Sequence, residues 1–306
     1  MEIIDFLSLN CYNHIKLEVF MKGLVVVICA PSQGGKDFIA KEMMRDLEYF
    51  YDAKTSYATS YKIREPREDD AEHIHCVSDE NSIPIPIESQ ISATVYDSQK
   101  LFYDKDEIAQ KINNGEVVFI ATTSAELATN IKQIFNQFAI TVFVKRQQVN
   151  KGNMLIEDLK RHGIKLPYIS SEKDIRQYVL QHGLATAEDM DSAEKRIEKR
   201  LYWYEKMKPE YEAFVADKIN GADYIFKNWF TLIGGEWNSE INEKSKREFS
   251  SLLTFIANVI RENNKTNGNW RNKHSFDWFD EEDRTKNLFT MQDEWIKYIE
   301  AKKERE

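Results

Sequence analysis

The chain alternates between short apolar runs and longer amphipathic stretches. Continuous apolar runs, of the kind found in parallel strands covered on both faces, occur at 24–29, 116–122 and 139–145. A fourth run, at 222–228, follows a stretch with helical spacing at 192–216. This regular exchange of strand and helix predicts an α/β fold, in which a parallel sheet carries helices on both faces.

The segments between these strands are predicted to form helices or small additions to the sheet. Helices are expected at 36–51, 104–113 and 124–136, where apolar residues recur every three or four positions. Residues 54–98 contain short polar and β-branched runs with three prolines, so they predict a small lobe instead of long helices. The charged stretch 150–190 predicts a mobile helical flap.

These elements predict a core domain at 21–237, an N-terminal extension at 1–20 and a C-terminal helical appendage at 238–306. Within the core, residues 54–98 are expected to form the small lobe and residues 146–200 to include the helical flap. Aromatic residues of the appendage are expected either to pack in its own core or to form a surface for a protein partner or a second copy. They are Trp270, Trp278, Phe279 and Trp295.

Composition and charge narrow the classes of function. With 306 residues, of which 42% are apolar, the chain is long enough for one large α/β domain with an appendage. A net charge of −9 argues against broad binding to nucleic acid or to anionic membranes. Three cysteines and the lack of a long apolar run predict a cytoplasmic protein without a disulfide framework or a membrane span.

The residues after the first strand have the pattern of a phosphate-binding loop that opens a helix. Gly34 and Gly35 let backbone N–H groups converge on an anion, and the helix N-terminus adds partial positive charge. Lys36 supplies a point charge for the outer phosphates of a nucleoside triphosphate. The alternative is a glycine turn with a surface lysine, because Ala30 replaces the first glycine of the usual GxxxxGK[ST] pattern.

Asp37 stands where that pattern has the serine or threonine that contacts Mg²⁺. Since a carboxylate is also a magnesium ligand, we expect Asp37 to lie near the metal ion, through direct contact or through a water molecule. Mg²⁺ and ATP are therefore the expected cofactor and donor.

A second group of cations follows in the segment SYKIREPR at 60–67. Arg64 and Arg67 lie on either side of Pro66, and their forked guanidinium groups suit a grip on one phosphate. A nucleotide kinase needs such a second anion site facing the first. The alternative is a solvated cluster of charges.

This segment resembles the acceptor site of guanylate kinases, which has a serine, two threonines and Arg-x-Pro-Arg. Four residues match without a gap: Ser60, Arg64, Pro66 and Arg67. Lys62 and Ile63 replace the threonines. The resemblance covers about residues 21–232 and implies a P-loop fold with ATP-dependent phosphoryl transfer to GMP or dGMP.

The resemblance also implies acceptor-binding roles further along the small lobe. His75 is the nearest substitute for a phosphate-binding tyrosine of the family. Glu88 stands where a carboxylate reads guanine, since it accepts from both N1–H and N2–H₂. Tyr96 and Ser98 stand near a second phosphate-binding tyrosine and a hydroxyl residue that reads the base.

The resemblance further implies that the lobe at 54–98 binds the acceptor and that residues 146–200 form a lid over the donor triphosphate. Arg200 stands where a lid arginine of the family contacts the γ-phosphate. The predicted catalytic residues are therefore Lys36, Arg64 and Arg200. Arg146 and Arg161 are further lid candidates, with surface ion pairs as the alternative. The predicted ATP-binding residues are Ser32, Gly34, Gly35, Lys36, Asp37, Phe38 and Asn228.

One departure from the family keeps a second function open. Guanylate kinases have Asp-x-Asp at the end of the strand where this chain has Ala121 and Thr123. The alternative function is a catalytically impaired, guanylate-kinase-like module that binds a nucleotide or a protein. The glycines and Lys36 argue against it, because a pure interaction domain has little physical need for a triphosphate cradle.

Overall fold

The computed structural model describes residues 23–31, 34–67, 70–95, 99–146, 151–164, 172–228 and 239–266. Its centre is a five-stranded sheet in which all strands are parallel, which confirms the predicted α/β class. From one edge to the other, the strands are β2 (Thr55–Tyr57), β7 (Val117–Thr122), β1 (Leu24–Cys29), β8 (Ala139–Arg146) and β9 (Tyr224–Asn228).

The central strand β1 shows that this sheet is covered on both faces. All of its residues are fully buried, and alternate residues enter two separate apolar clusters. One cluster includes α1 (Lys36–Tyr51) and α7 (Ser239–Thr266). The other includes α2 (Lys105–Asn113), α3 (Ala125–Phe135) and the C-terminal part of α6 (Ala187–Ala216).

The long helix α6 begins five residues before the predicted position of 192, because Thr186 caps it. The Thr186 hydroxyl accepts a hydrogen bond from the backbone N–H of Asp189 (3.1 Å), and the Asp189 carboxylate accepts one from the backbone N–H of Thr186 (3.0 Å). This capping box satisfies N–H groups that the first helical turn leaves without partners.

A second sheet of four strands forms the small lobe. Its strands, in spatial order, are β4 (Ile74–Val77), β3 (Ser60–Ile63), β6 (Lys100–Asp104) and β5 (Gln90–Thr94). Strand β6 pairs antiparallel with both β3 and β5, and it lies outside the predicted segment 54–98. The sheet therefore extends the lobe as far as residue 104.

The segment predicted to form a lid, 146–200, contains α4 (Lys151–Arg161), α5 (Glu172–Gln181) and residues 187–200 of α6, and it is called the lid below. It has its own apolar cluster, separate from those of the central sheet. The buried members are Met154, Leu155, Ile156, Leu159, Ile175, Val179, Met190, Ala193 and Ile197. The lid is thus a small packed unit and not a single flexible loop.

Helix α7 is the described part of the predicted C-terminal appendage. It packs against α1 and β9, and the rings of Tyr224 and Phe255 lie 5.3 Å apart between centroids. The rest of the predicted appendage, with its tryptophans, and the extension at 1–20 lie outside the described residues, so the partner surface stays a prediction. None of the helices in the described ranges is long and apolar enough to cross a bilayer.

A buried polar network joins α3 to the segment before β9. Lys132 Nζ donates to Gly221 O (2.7 Å) and to Asp223 Oδ1 (2.9 Å), while Asp223 Oδ2 accepts from the backbone N–H of Thr141 (2.9 Å). The side chains of Lys132 and Asp223 are only 5% and 1% exposed. Removal of either charge therefore leaves the other buried without its counter-ion.

We expect Asp223→Ala to lower the free energy of unfolding by about 3–5 kcal/mol, measured by urea denaturation. The matched control is Lys100→Ala, which breaks an exposed pair with Glu80 and is expected to cost less than about 1 kcal/mol. Equal losses in the two variants would contradict a structural role for the Lys132–Asp223 pair.

Candidate active site

The loop between β1 and α1 needs glycine at two positions. Gly35 precedes the first residue of α1 with a φ of 89°, a left-handed conformation that other residues rarely adopt. At Gly34, a Cβ would lie 2.7 Å from the Cβ of Ala30. Larger residues are therefore excluded from both positions. Ser32, which is predicted to contact the triphosphate, lies outside the described residues.

Asn228, the last residue of β9, fastens this loop to the sheet. Its Nδ2 donates to the carbonyl oxygen of Gly34 (2.7 Å), and its side chain is buried. A Cβ on Gly35 would lie 2.7 Å from the same Nδ2, so the asparagine also requires the glycine. The predicted role of Asn228 in binding ATP stays a prediction.

Lys36 and Asp37 form an ion pair in the first turn of α1, with 2.6 Å between Nζ and Oδ2. The Lys36 side chain is 19% exposed and that of Asp37 is 74% exposed. Since a helix N-terminus favours anions, a phosphate here would compete with Asp37 for the Lys36 ammonium group. Phe38, the next residue, is half-exposed.

A cavity of about 870 Å³ opens between the carboxyl ends of the central strands, the start of α1 and the small sheet. Five predicted site residues line it: Lys36, Asp37, Ser60, Arg64 and Arg67. Other polar and aromatic residues line it as well: Lys41, Tyr57, Lys62, Asp70, Glu72, His73, Gln99, Tyr103, Thr122 and Thr123. The cavity has the size of a small-molecule site, and it brings Lys36, directly after the glycine loop, and the arginine pair to one space.

Asp70 holds the arginine segment of the cavity wall. Arg64 Nη2 donates to Asp70 Oδ1, and the backbone N–H of Arg67 donates to Asp70 Oδ2 (2.8 Å). The hydrogen bond from Arg64 holds the pKa of the Asp70 carboxyl well below its usual range. The segment is thus preorganised, and an acceptor phosphate would share Arg64 with this carboxylate.

Strand alternation decides which residues of the segment face the cavity. Ser60 and Lys62 on β3 line it, and Arg64 follows with the same two-residue spacing. Tyr61 and Ile63 pack instead in an apolar cluster on the opposite face of the small sheet. The predicted acceptor residues Ser60 and Arg64 therefore lie on one face of the small sheet, as their even spacing in the sequence predicts.

Tyr103 is a cavity residue that the sequence analysis missed. It lies on β6, directly paired with Ser60, and it is buried. Burial raises the pKa of its hydroxyl group, and the charge of Asp37 raises it further. Nothing in the sequence indicates that Tyr103, and not Tyr96, is a cavity residue. Tyr103 lies in the cavity because β6 pairs with β3. Tyr96 and Ser98 lie outside the described residues.

His73 lines the cavity, whereas His75 does not. The His73 ring stacks on Tyr57 with 4.2 Å between centroids and 6° between planes. Burial lowers the pKa of His73, and the charge of Lys62 lowers it further. His75 is exposed and stacks on Tyr61, 5.3 Å away, on the outer face of the small sheet. The structure thus places His75 outside the site, because alternation along β4 turns it away.

Glu88, the predicted reader of guanine, also lies outside the cavity lining. It belongs to an exposed turn, Ile87–Ser89, and its carbonyl oxygen accepts a hydrogen bond from Lys105 Nζ (3.2 Å). Glu72 is a different acidic residue of the same lobe that does line the cavity. Within the described part of the chain, Glu72 makes no ion pair or hydrogen bond.

Arg200 is tied to the lid and does not line the cavity. Its Nη1 donates to Asp158 Oδ1 (2.6 Å), and Arg196 Nη2 donates to Asp158 Oδ2 (2.7 Å). Although burial opposes ionisation of Asp158, the two arginines hold its pKa below the usual value. Arg200 thus lies outside the cavity lining, and its contact with a γ-phosphate stays a prediction. The side chains of Arg146 and Arg161 lie outside the described set.

The end of β7, where guanylate kinases have two acids, is neutral here. Ala121 and Thr123 both line the cavity. In the described ranges, no group of three or more histidine, cysteine, aspartate or glutamate side chains could hold a metal ion. A single carboxylate, that of Asp37, together with phosphate oxygens still fits Mg²⁺, which commonly keeps several waters and binds through one or two carboxylates.

No protein-family model and no curated protein matches this chain. Among solved structures, it is similar to the crystal structure of guanylate kinase from Anaplasma phagocytophilum, at 12% sequence identity and a TM-score of 0.40. The similarity covers 81% of this chain and 89% of that one. A similarity at this identity and TM-score supports no conclusion about activity.

Proposed function

We propose that this chain transfers the γ-phosphoryl group of ATP to a nucleoside monophosphate. One observation carries the proposal: Lys36 and Asp37, which directly follow the glycine loop, line the same cavity as Arg64 and Arg67. Two cationic sites in one space suit a reaction that must bring two phosphates into line.

In this reaction the chain acts by alignment and neutralisation of charge. Lys36 and the backbone N–H groups at the start of α1 hold the triphosphate, while Arg64 and Arg67 hold the acceptor phosphate. Magnesium, when bound beside Asp37, neutralises charge on the donor phosphates. An oxygen of the acceptor phosphate attacks the γ-phosphorus and ADP leaves, so the chain needs no nucleophile of its own.

We infer GMP and dGMP as the favoured acceptors. The resemblance of the segment SYKIREPR to the guanylate kinase acceptor site supports this choice. Glu72 in the cavity wall is a carboxylate that can accept from N1–H and N2–H₂ of guanine. Adenine presents an acceptor at N1 and would be repelled, so AMP is expected to be the poorer substrate.

The test is to incubate the protein with ATP, Mg²⁺ and each common ribo- or deoxynucleoside monophosphate, and to quantify ADP and the nucleoside diphosphate. We expect equal amounts of both products, with GMP and dGMP converted fastest. The Lys36→Met variant serves as the blank for contaminating kinases. Absence of turnover above this blank with every acceptor would overturn the proposal, whereas failure with GMP and dGMP alone would overturn only the specificity.

A second candidate is a module that binds nucleotides without turnover. Two observations favour it: the neutral residues Ala121 and Thr123 at the end of β7, and the pairing of Arg200 with Asp158 away from the cavity. This candidate predicts that ATP or GMP binds, as measured by calorimetry, while the turnover experiment yields no product.

A further inference from the structure

Lys62 lies on the floor of the cavity, between Cys76 of β4 and Leu101 of β6. Leu101 is buried and Lys62 itself is partly buried. Because side chains alternate along a strand, the pairing of β3 fixes Lys62 on the same face as Ser60. Its ammonium group cannot move to the outer face unless that pairing breaks.

The Lys62 ammonium group makes no hydrogen bond or ion pair with any residue that the structure describes. The neighbouring cations differ, since Lys36 pairs with Asp37 and Arg64 pairs with Asp70. Burial lowers the pKa of Lys62, and the like charge of Arg64 lowers it further. An ammonium group partly removed from water without a partner is unfavourable, and a bound anion would relieve that cost.

Lys62 shares the cavity with both cationic sites. Six charged or titratable groups interact with it electrostatically: Arg64, Asp70, Lys36, Asp37, His73 and Cys76. The first two belong to the acceptor side, and the next two belong to the donor side. Since Lys62 and Arg64 are two residues apart and line the same cavity, a phosphate held by the arginine segment would also meet Lys62.

We propose that Lys62 is a third cation of the acceptor site, which binds the phosphomonoester of the acceptor on its donor-facing side and is a catalytic residue. This inference rests on the proposed function for the identity of the anion. It also explains how the site can work with neutral residues at Ala121 and Thr123. Acidic residues there would supply positive charge by binding a cation, whereas the fixed ammonium group of Lys62 supplies it directly.

The chemical step leaves the Lys62 protons in place. A new bond forms between an oxygen of the acceptor phosphate and the γ-phosphorus, and the bond from that phosphorus to the β,γ-bridging oxygen breaks. A monophosphate dianion and ATP⁴⁻ become a diphosphate trianion and ADP³⁻, so no proton is gained or lost. In its protonated form, Lys62 acts as a positive charge beside the attacking oxygen.

The experiment compares anion binding and turnover in wild type, Lys62→Met and Lys62→Arg. Calorimetry with GMP and with inorganic pyrophosphate is expected to show at least about tenfold weaker binding in Lys62→Met, and a change of less than about threefold in Lys62→Arg. The matched control is Lys100→Met, an exposed lysine of the same sheet that pairs with Glu80, and it should bind as wild type does.

The pH profile gives a readout that a structural role would not move. Since an anion binds the charged form, wild-type affinity should fall about tenfold per pH unit above the pKa of Lys62 in the free protein. Lys62→Arg should keep its affinity over the same range, because arginine stays charged. This comparison remains informative even if Lys62→Met folds poorly.

The outcomes separate this inference from the proposed function. Wild-type turnover together with unchanged binding and kcat/KM in Lys62→Met overturns the role of Lys62 and leaves the function standing. Pyrophosphate binding that depends on Lys62, without any turnover, supports the anion site and overturns the kinase. Parallel alkaline loss of affinity in wild type and Lys62→Arg also overturns the inference.

Discussion

Replacing Lys36 by methionine is expected to lower kcat for phosphoryl transfer by a factor of about 10²–10³. Lys36 follows the two glycines at the start of α1, and in the proposed function its ammonium group neutralises charge on the outer phosphates. Methionine keeps the length of the side chain and helix propensity, so the helix should form as in wild type. The measurement is steady-state formation of ADP with GMP at saturating ATP.

The control for this variant is Lys54→Met, which removes an exposed lysine that pairs with Glu116 and does not line the cavity. Its kcat should stay within about twofold of wild type, since exposed ion pairs contribute little. If kcat in Lys36→Met falls by less than about tenfold, the glycine loop is not part of the catalytic site.

Replacing Arg64 by lysine is expected to raise the KM for the acceptor by about 10–100-fold. Lysine keeps the charge but loses the planar fork that binds Asp70 and, in the proposed function, a phosphate. Loss of one charge-assisted hydrogen bond costs about 1.5–3 kcal/mol, which corresponds to that range. The KM for ATP should change by less than about threefold, because the loop with Lys36 is intact.

Arg176→Lys is the matched control, because Arg176 also pairs with carboxylates, those of Asp191 and Glu194, but lies in the lid outside the cavity lining. Both Michaelis constants should match wild type in this variant. An equal rise in the KM for ATP and for the acceptor in Arg64→Lys would contradict a site divided into donor and acceptor halves.

The sheet and most helices could be predicted because burial on both faces leaves a continuous apolar run. The strand Leu24–Cys29 and the helix Lys36–Tyr51 have the predicted bounds. The start of α6 could not be placed from apolar spacing, since its first turn depends on the cap at Thr186. The lobe boundary was also too early, because β6 joins it by pairing with strands far away in sequence.

The candidate site divides in the same way. Lys36, Ser60 and Arg64 lie in continuous segments whose spacing already sets their geometry, and all three line the cavity. Tyr103 enters it through the register of the small sheet, and His73 enters it through the turn that precedes β4. No local sequence pattern contains either feature. The contact of Arg200 with a phosphate stays a prediction. Its pairing with buried Asp158 could not be predicted from the sequence, because it depends on how two helices of the lid pack.

The proposed function requires that one cavity holds the donor and acceptor phosphates together. A dinucleoside pentaphosphate, in which adenosine and guanosine are joined through five phosphates, would span both halves of such a site. Calorimetry should give one molecule bound per chain, with an affinity at least about 10²-fold above that for GMP. Lys36→Met and Arg64→Lys should each weaken this binding by at least about tenfold. Two molecules bound per chain, or an affinity equal to that of ATP and unchanged by Arg64→Lys, would contradict the account.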